Sequence, residues 1–103
     1  QEDAKLRVLQ IISSNPQMSS RELAQRVGIS NGSAYYLLTS LINKGFIKYA
    51  DLKKSTQKTK YSYLLTPKGI REKSFITRKF IVRKKQEYGL LKKEIAELER
   101  DIN

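Results

Sequence analysis

Four interruptions, Asn15-Pro16, Gly28, Gly45 and Thr66-Pro67, cut the first two thirds of this 103-residue chain into short pieces, and nothing as strong interrupts it afterwards. Proline lacks a backbone donor and turns the residue before it away from the helix, while glycine enters left-handed backbone without steric cost. Every element before Pro67 is therefore short. Residues 67–102 can form one helix of about 54 Å, at 1.5 Å per residue, or two helices bent near Gly89, where glycine costs roughly 1 kcal/mol against Ala.

Between the interruptions the periods can be read. Residues 2–14, EDAKLRVLQIISS, carry Val8, Leu9 and Ile12 at helical spacing, with acids at the start. Ser19 stands three before Glu22, a capping box that opens a short helix, RELAQRV, with Leu23, Ala24 and Val27 inward. Gly28 turns the chain, Ile29 is expected to plug the core, and Ser30 caps the next helix. That helix buries Ala34, Leu37 or Leu38, and Leu41, and stops at Gly45. The period then changes. Phe46–Leu52 and Lys60–Thr66 are rich in aromatic and aliphatic residues with partial alternation, and they read as an antiparallel hairpin around the polar connector KKSTQKT. Thr66 then caps a helix with Pro67 in its first turn. The order is helix, helix, turn, helix, hairpin, helix, a mainly α chain with a small β-hairpin.

Charge is distributed unevenly. Residues 1–52 hold six Lys/Arg against four Asp/Glu, residues 53–85 twelve against one, and residues 86–103 three against five. A basic middle between less basic ends points to a polyanion partner. Cys and His are both absent, so zinc sites built on them, thiol chemistry and His-based acid–base catalysis are excluded. Neither paired carboxylates near an apolar cleft nor a phosphate-binding glycine loop is present, so no enzyme, no cofactor and no metal is expected. No apolar run nears the roughly 20 residues of a membrane span, and the polar start QEDAKLR does not read as a signal peptide. Starting at Gln1 rather than Met points to native residues upstream. Without Cys or a membrane segment, the expected location is the cytoplasm.

The stretch from Gly28 to Ile42 carries no charge at all. A helix that only covers a core usually shows water Lys and Glu. This one is expected to show Asn31, Ser33, Tyr35, Tyr36, Thr39 and Ser40, with Ser30 and Lys44 at its two ends. Short or flat hydrogen-bonding groups suit a helix entering a major groove about 12 Å wide. Asn pairs well with adenine, Ser and Thr serve several bases, and tyrosine can meet phosphate or a thymine methyl. Packing on the first helix or on a second subunit would equally account for the tyrosines, and Asn31 and Ser33 would also serve as caps. Lys53, Lys54, Ser55, Thr56, Lys58 and Lys60 suit the neighbouring minor groove or backbone, or form a solvated loop. Arg71, Lys73, Arg78 and Lys79 are expected to add phosphate contacts.

RELAQRVGISNGSAYYLLTSLINKGFI resembles the helix-turn-helix of winged-helix bacterial transcription regulators, and YLLTPKG resembles their second wing strand entering the next helix. The resemblance covers residues 4–76 and is nearest to MarR-type regulators. Over the whole chain it is to the short MarR-like group associated with exopolysaccharide gene clusters. It implies a recognition helix over residues 30–44, a wing over 53–60, double-stranded DNA as partner, and exopolysaccharide genes as targets. Many such helices place Arg where this one has Asn31 and Tyr36, so base preference does not carry over. Typical MarR proteins are longer, with extra helices framing a ligand cleft. The shorter chain argues against a small-molecule effector.

The end of the chain has its own pattern. Ile81, Lys84, Tyr88, Leu91, Ile95, Leu98 and Ile102 alternate spacings of three and four. Ile81, Tyr88, Ile95 and Ile102 fall at a, and Lys84, Leu91 and Leu98 at d. Residues 1–76 thus read as a winged helix-turn-helix and 77–103 as a coiled-coil segment forming a homodimer through Ile81, Tyr88, Leu91, Ile95, Leu98 and Ile102. The other reading packs the stripe on the chain's own domain. Ile at a with Leu at d favours a parallel pair, in which Glu87 meets Lys92 but Glu94 meets Glu99, so an antiparallel pair stays open. Taken together, the chain reads as a dimeric, sequence-specific DNA-binding regulator. The alternatives are a non-specific nucleic-acid-binding or architectural module and a winged-helix adaptor for protein partners.

Overall fold

The computed structural model describes residues 2–15, 17–51 and 61–103. The elements run α1 (Glu2–Ser14), α2 (Ser20–Val27), α3 (Asn31–Asn43), β1 (Ile47–Asp51), β2 (Tyr61–Leu65) and α4 (Pro67–Asp101). The molecule measures 68 × 25 × 23 Å, a small head with one helix projecting from it.

Local chemistry sets the helix ends. The Ser19 hydroxyl accepts from the Glu22 N–H at 3.1 Å and donates to Glu22 Oε1 at 3.3 Å. The capping box therefore closes through the hydroxyl. Gly28 ends α2 at φ 82°, a left-handed conformation that a Cβ would penalise. Its N–H donates to Ala24 O at 2.9 Å, satisfying a carbonyl at the helix end. Gly45 does the same service after α3 at φ 79°.

The head's core is built from one face of each element. Leu6, Val8, Leu9 and Ile12 of α1 meet Leu23 of α2, Leu38 and Leu41 of α3, and Ile47 of β1. Leu38 takes the deep position and Leu37 is half-buried at its edge. Ile29 does not plug this core. It is half-buried and lines an open groove beside α1, because the turn after Gly28 carries it past the core's edge. Met18, just before α2, closes the core from the other side.

β1 and β2 pair antiparallel, with Ile47 opposite Leu65 and Tyr49 opposite Tyr63. The two tyrosine rings meet edge to face at 5.5 Å. Thr66 then ties the hairpin to α4. Its hydroxyl accepts from the Gly69 N–H at 3.0 Å and donates to Gly45 O at 2.6 Å. Lys68 Nζ reaches Lys44 O at 2.9 Å. The end of α3 and the start of α4 are thus one joint.

Gly69 is the closest approach in that joint. A Cβ there would overlap the Phe46 carbonyl oxygen and lie 2.8 Å from the carbonyl carbon. The residue sits in a helix because only hydrogen fits against the backbone it touches.

α4 is one helix of 35 residues and runs through Gly89 without interruption. Its first turns pack through buried Gly69 and Ile76 and half-buried Phe80. From Ile81 onward every residue is exposed. Three ion pairs join α4 to α1: Lys5–Glu72 at 2.6 Å, Lys79–Glu2 at 3.1 Å and Arg83–Asp3 at 2.7 Å. The first is largely shielded from water, and Lys5 also lies over the Phe46 ring at 4.8 Å. The other two are open to solvent and so are strongly screened. Among the described residues, no helix is long and apolar enough to cross a membrane.

Candidate nucleic-acid interface

α2, the Gly28 turn and α3 form a helix-turn-helix. α3 begins at Ser30, whose hydroxyl accepts from the Ser33 N–H at 3.0 Å and donates to Ser33 Oγ at 2.9 Å. Both serines therefore serve the cap. Ser33 keeps its own hydroxyl proton to offer outward. Asn31, the first residue of the helix, is exposed and its side chain makes no hydrogen bond among the described residues.

The buried stripe of α3 is Ala34, Leu38 and Leu41. At about 100° per residue, the ridge opposite that stripe is Gly32, Tyr36, Thr39 and Asn43. Asn31, Tyr35 and Ile42 lie on one flank, Ser33 and half-buried Ser40 on the other. The tyrosines thus leave the helix in different directions. They are 69% and 77% exposed, so neither is packed on α1. Gly32 and Asn43 were not singled out in the sequence, although their spacing of four, three and four with Tyr36 and Thr39 marks a helical ridge. Gly32 has nothing near its missing side chain and allows close backbone approach. Lys44 ends α3, exposed.

Beside this ridge runs a groove of about 520 Å³ lined by Ala4, Ile29, Gly32, Ser33, Tyr36 and Leu37. Tyr36 on its rim faces solvent, so the groove is open.

The cations of α4 divide into two sets. Lys73 donates to Ser13 Oγ at 3.3 Å and Lys79 is paired with Glu2, so these two are held by α1 rather than free for phosphate. Arg83 is engaged by Asp3, and Lys84 by Glu87 at 3.0 Å. Among the described residues Lys68, Arg71, Lys73, Arg78 and Lys85 of this basic stretch have no acidic partner, and of these Lys68 is bonded to Lys44 O and Lys73 to Ser13 Oγ. The Asp3 carboxyl is held below its ordinary value, chiefly by the hydrogen bond from Arg83, and the Arg83 guanidinium is raised in turn by Asp3.

Lys53, Lys54, Ser55, Thr56, Lys58 and Lys60 lie outside the described residues. The six apolar positions of the tail are on the surface, from Ile81 at 45% exposure to Ile102 at 85%. The stripe therefore does not pack on the chain's own head. No cluster of acidic side chains suited to a metal ion occurs among the described residues.

These elements make a winged helix-turn-helix followed by a long C-terminal helix. Residues 1–48 match the family described as winged helix-turn-helix DNA-binding. The chain is similar in structure to a PadR-like transcriptional regulator from Bacillus cereus strain ATCC 14579, with TM-score 0.73 and 23% identity, over 84% of this chain and 89% of that one. It is similar to a MarR/EmrR family transcriptional regulator from Acinetobacter sp. ADP1, with TM-score 0.64 and 18% identity, over 81% and 56%. It is also similar to the PcaV transcriptional regulator from Streptomyces coelicolor, with TM-score 0.65 and 19% identity, over 81% and 59%. At such identities the likeness establishes the fold. The chain spans a little over half the length of the last two proteins. No curated protein sequence matches it.

Proposed function

We propose that the protein is a dimeric, sequence-specific double-stranded-DNA-binding transcription regulator. Residues 1–76 read DNA and residues 77–103 pair two copies. α3 enters the major groove and presents Tyr36 and Thr39 to base edges, with Asn31, Ser33, Tyr35 and Lys44 at its margins. The connector Lys53–Lys60 holds the backbone or adjacent minor groove. The observation that carries this reading is the uncharged, hydrogen-bonding, exposed face of α3 on a chain whose residues 1–48 match a DNA-binding family. A non-specific clamp needs cations there and has no use for Asn and Thr.

The regulator acts at the bacterial nucleoid in the cytoplasm. Its targets are exopolysaccharide genes, a reading supported by the resemblance of the whole sequence to the short MarR-like group. The PadR-like and MarR/EmrR neighbours, themselves described as transcriptional regulators, support the regulatory role.

Selection from a random-duplex library at about 150 mM salt tests the proposal, near the ionic strength of a cell. An enriched inverted repeat with half-sites about one or two helical turns apart is expected. A bound pool indistinguishable from the input refutes sequence-specific reading and leaves a non-specific clamp or a protein adaptor. An operator absent from the upstream regions of exopolysaccharide genes refutes the choice of targets.

A further inference from the structure

The apolar seam of α4 does not begin at Ile81. Carried back by the same alternation of four and three, it passes through Thr77 and Ser74 to Ile70. Ile70 is 54% exposed although it lies one residue from buried Gly69. Thr77 returns its hydroxyl to Lys73 O at 2.7 Å, so its polar group is satisfied within α4. The face that packs on the head, through Gly69, Ile76 and Phe80, lies beside this line and does not cover it. From Ile70 to Ile102 the seam is about 48 Å long.

Three features decide how a second copy lies along it. The first is charge. Residues 67–85 hold eight Lys/Arg and one acid, whereas residues 86–103 hold three Lys/Arg and five acids. A parallel pair stacks the basic halves on each other; an antiparallel pair lays each acidic half on a basic one.

The second is Lys84, which sits at a d position. In a parallel pair two Lys84 ammonium groups face each other across the seam. In the antiparallel register that sets Ile70 against Ile102 and Ile81 against Leu91, Lys84 faces the ring of Tyr88, a favourable cation–aromatic contact.

The third is the flanks. That register brings Arg71 to Glu99 and Lys73 to Asp101, and costs one repulsion, Arg78 against Lys92, besides the self-pairs at the centre. Of these, Glu87 is already neutralised by its own Lys84 at 3.0 Å. The parallel register gives one attraction, Glu87 with Lys92, against two repulsions, Lys73 with Arg78 and Glu94 with Glu99. The parallel preference of Ile at a with Leu at d applies to a single heptad here, Ile95 and Leu98.

Resting on the dimer reading above, we infer that two copies of α4 pair antiparallel along their whole length, from Ile70 to Ile102, about a two-fold axis at Gln86. The two heads then sit at opposite ends of the rod. The starts of the two α4 helices are about 57 Å apart along it, against about 10 Å side by side in a parallel pair.

The chain has no cysteine, so one introduced thiol reports alone. Arg100→Cys is exposed and lies outside the seam. Spin labels on that residue in the full chain are expected about 40 Å apart in the antiparallel dimer and roughly 15–20 Å apart in a parallel one. Sedimentation supplies the mass, and DNA binding is measured separately. A dimer with the long distance supports the inference. A dimer with the short distance overturns it and leaves the dimer reading standing. A monomer that still selects DNA overturns both pairings and spares DNA recognition. Ile70→Asp, on the surface of the head, is expected to raise the dimer dissociation constant at least tenfold. An unchanged constant would show that the seam stops short of Ile70, and would overturn the full-length register.

Discussion

Replacing Gly69 by Ala tests how the long helix is seated. The new methyl would overlap the Phe46 carbonyl oxygen and lie 2.8 Å from its carbon and 3.2 Å from its Cα. These are backbone atoms at the entry to β1, so no side chain can swing aside. The same oxygen accepts from the Thr66 N–H at 3.0 Å, and lifting α4 away strains that bond. Overpacking of this kind costs about 1–3 kcal/mol, and a hydrogen bond lost adds about 1 kcal/mol. Against that, Ala is preferred to Gly in a helix by about 1 kcal/mol. A net destabilisation of about 2 kcal/mol lowers Tm by roughly 8–16 °C for a head of this size. Gly89→Ala is the control. Nothing lies within 4 Å of a Cβ at that position, so only the propensity gain of up to about 1 kcal/mol remains. Thermal melts followed by helical circular dichroism should therefore move in opposite directions for the same substitution in the same helix. A Gly69→Ala protein melting at or above the parent would refute the seating of α4 on Phe46.

Ser30→Ala removes the cap of α3 and should cost about 1 kcal/mol, read by urea unfolding. Leu38→Ala should destabilise the fold by about 2–5 kcal/mol, whereas Tyr36→Ala should leave the melt unchanged and alter the DNA sequences selected; a shift in melt alone would make Tyr36 a packing residue. Because Arg83 holds the Asp3 carboxyl below its ordinary value, the Asp3–Arg83 pair contributes stability above about pH 4 and loses it as pH falls through the lowered folded value. Unfolding titrations across the acid range should show a smaller loss for Asp3→Asn than for the parent. Lys53, Lys54 and Lys58 replaced together by Ala should weaken all DNA sequences alike and flatten the salt dependence, which for six to ten phosphate contacts spans on the order of 10³–10⁵ in affinity between about 50 and 200 mM. Unchanged binding would remove the connector from the interface.

What could be read from the sequence was what is settled within about four residues. Ser19, Ser30 and Thr66 cap helices through partners three positions away, and Gly28 and Gly45 turn the chain by their own backbone freedom, so element order and most boundaries followed. What could not be read joins distant segments. Nothing local marks Gly69 as a required glycine, because Phe46, the reason for it, lies 23 positions earlier. Lys73 and Lys79 looked like free phosphate contacts because Ser13 and Glu2, which engage them, lie 60 and 77 positions away. These pairings bear on function. Of the eight cations in residues 67–85, Lys79, Arg83 and Lys84 are paired with acids, while Lys68, Arg71, Lys73, Arg78 and Lys85 have no acidic partner among the described residues. Lys68 and Lys73 are tethered to the head through Lys44 O and Ser13 Oγ, so the exposed Arg71, Arg78 and Lys85 are the α4 cations best placed to reach a phosphate. Under the proposed DNA-binding reading these three side chains share the phosphate contacts with Lys53, Lys54, Lys58 and Lys60 of the connector, and under the proposed antiparallel pairing α4 sets the distance between the two heads.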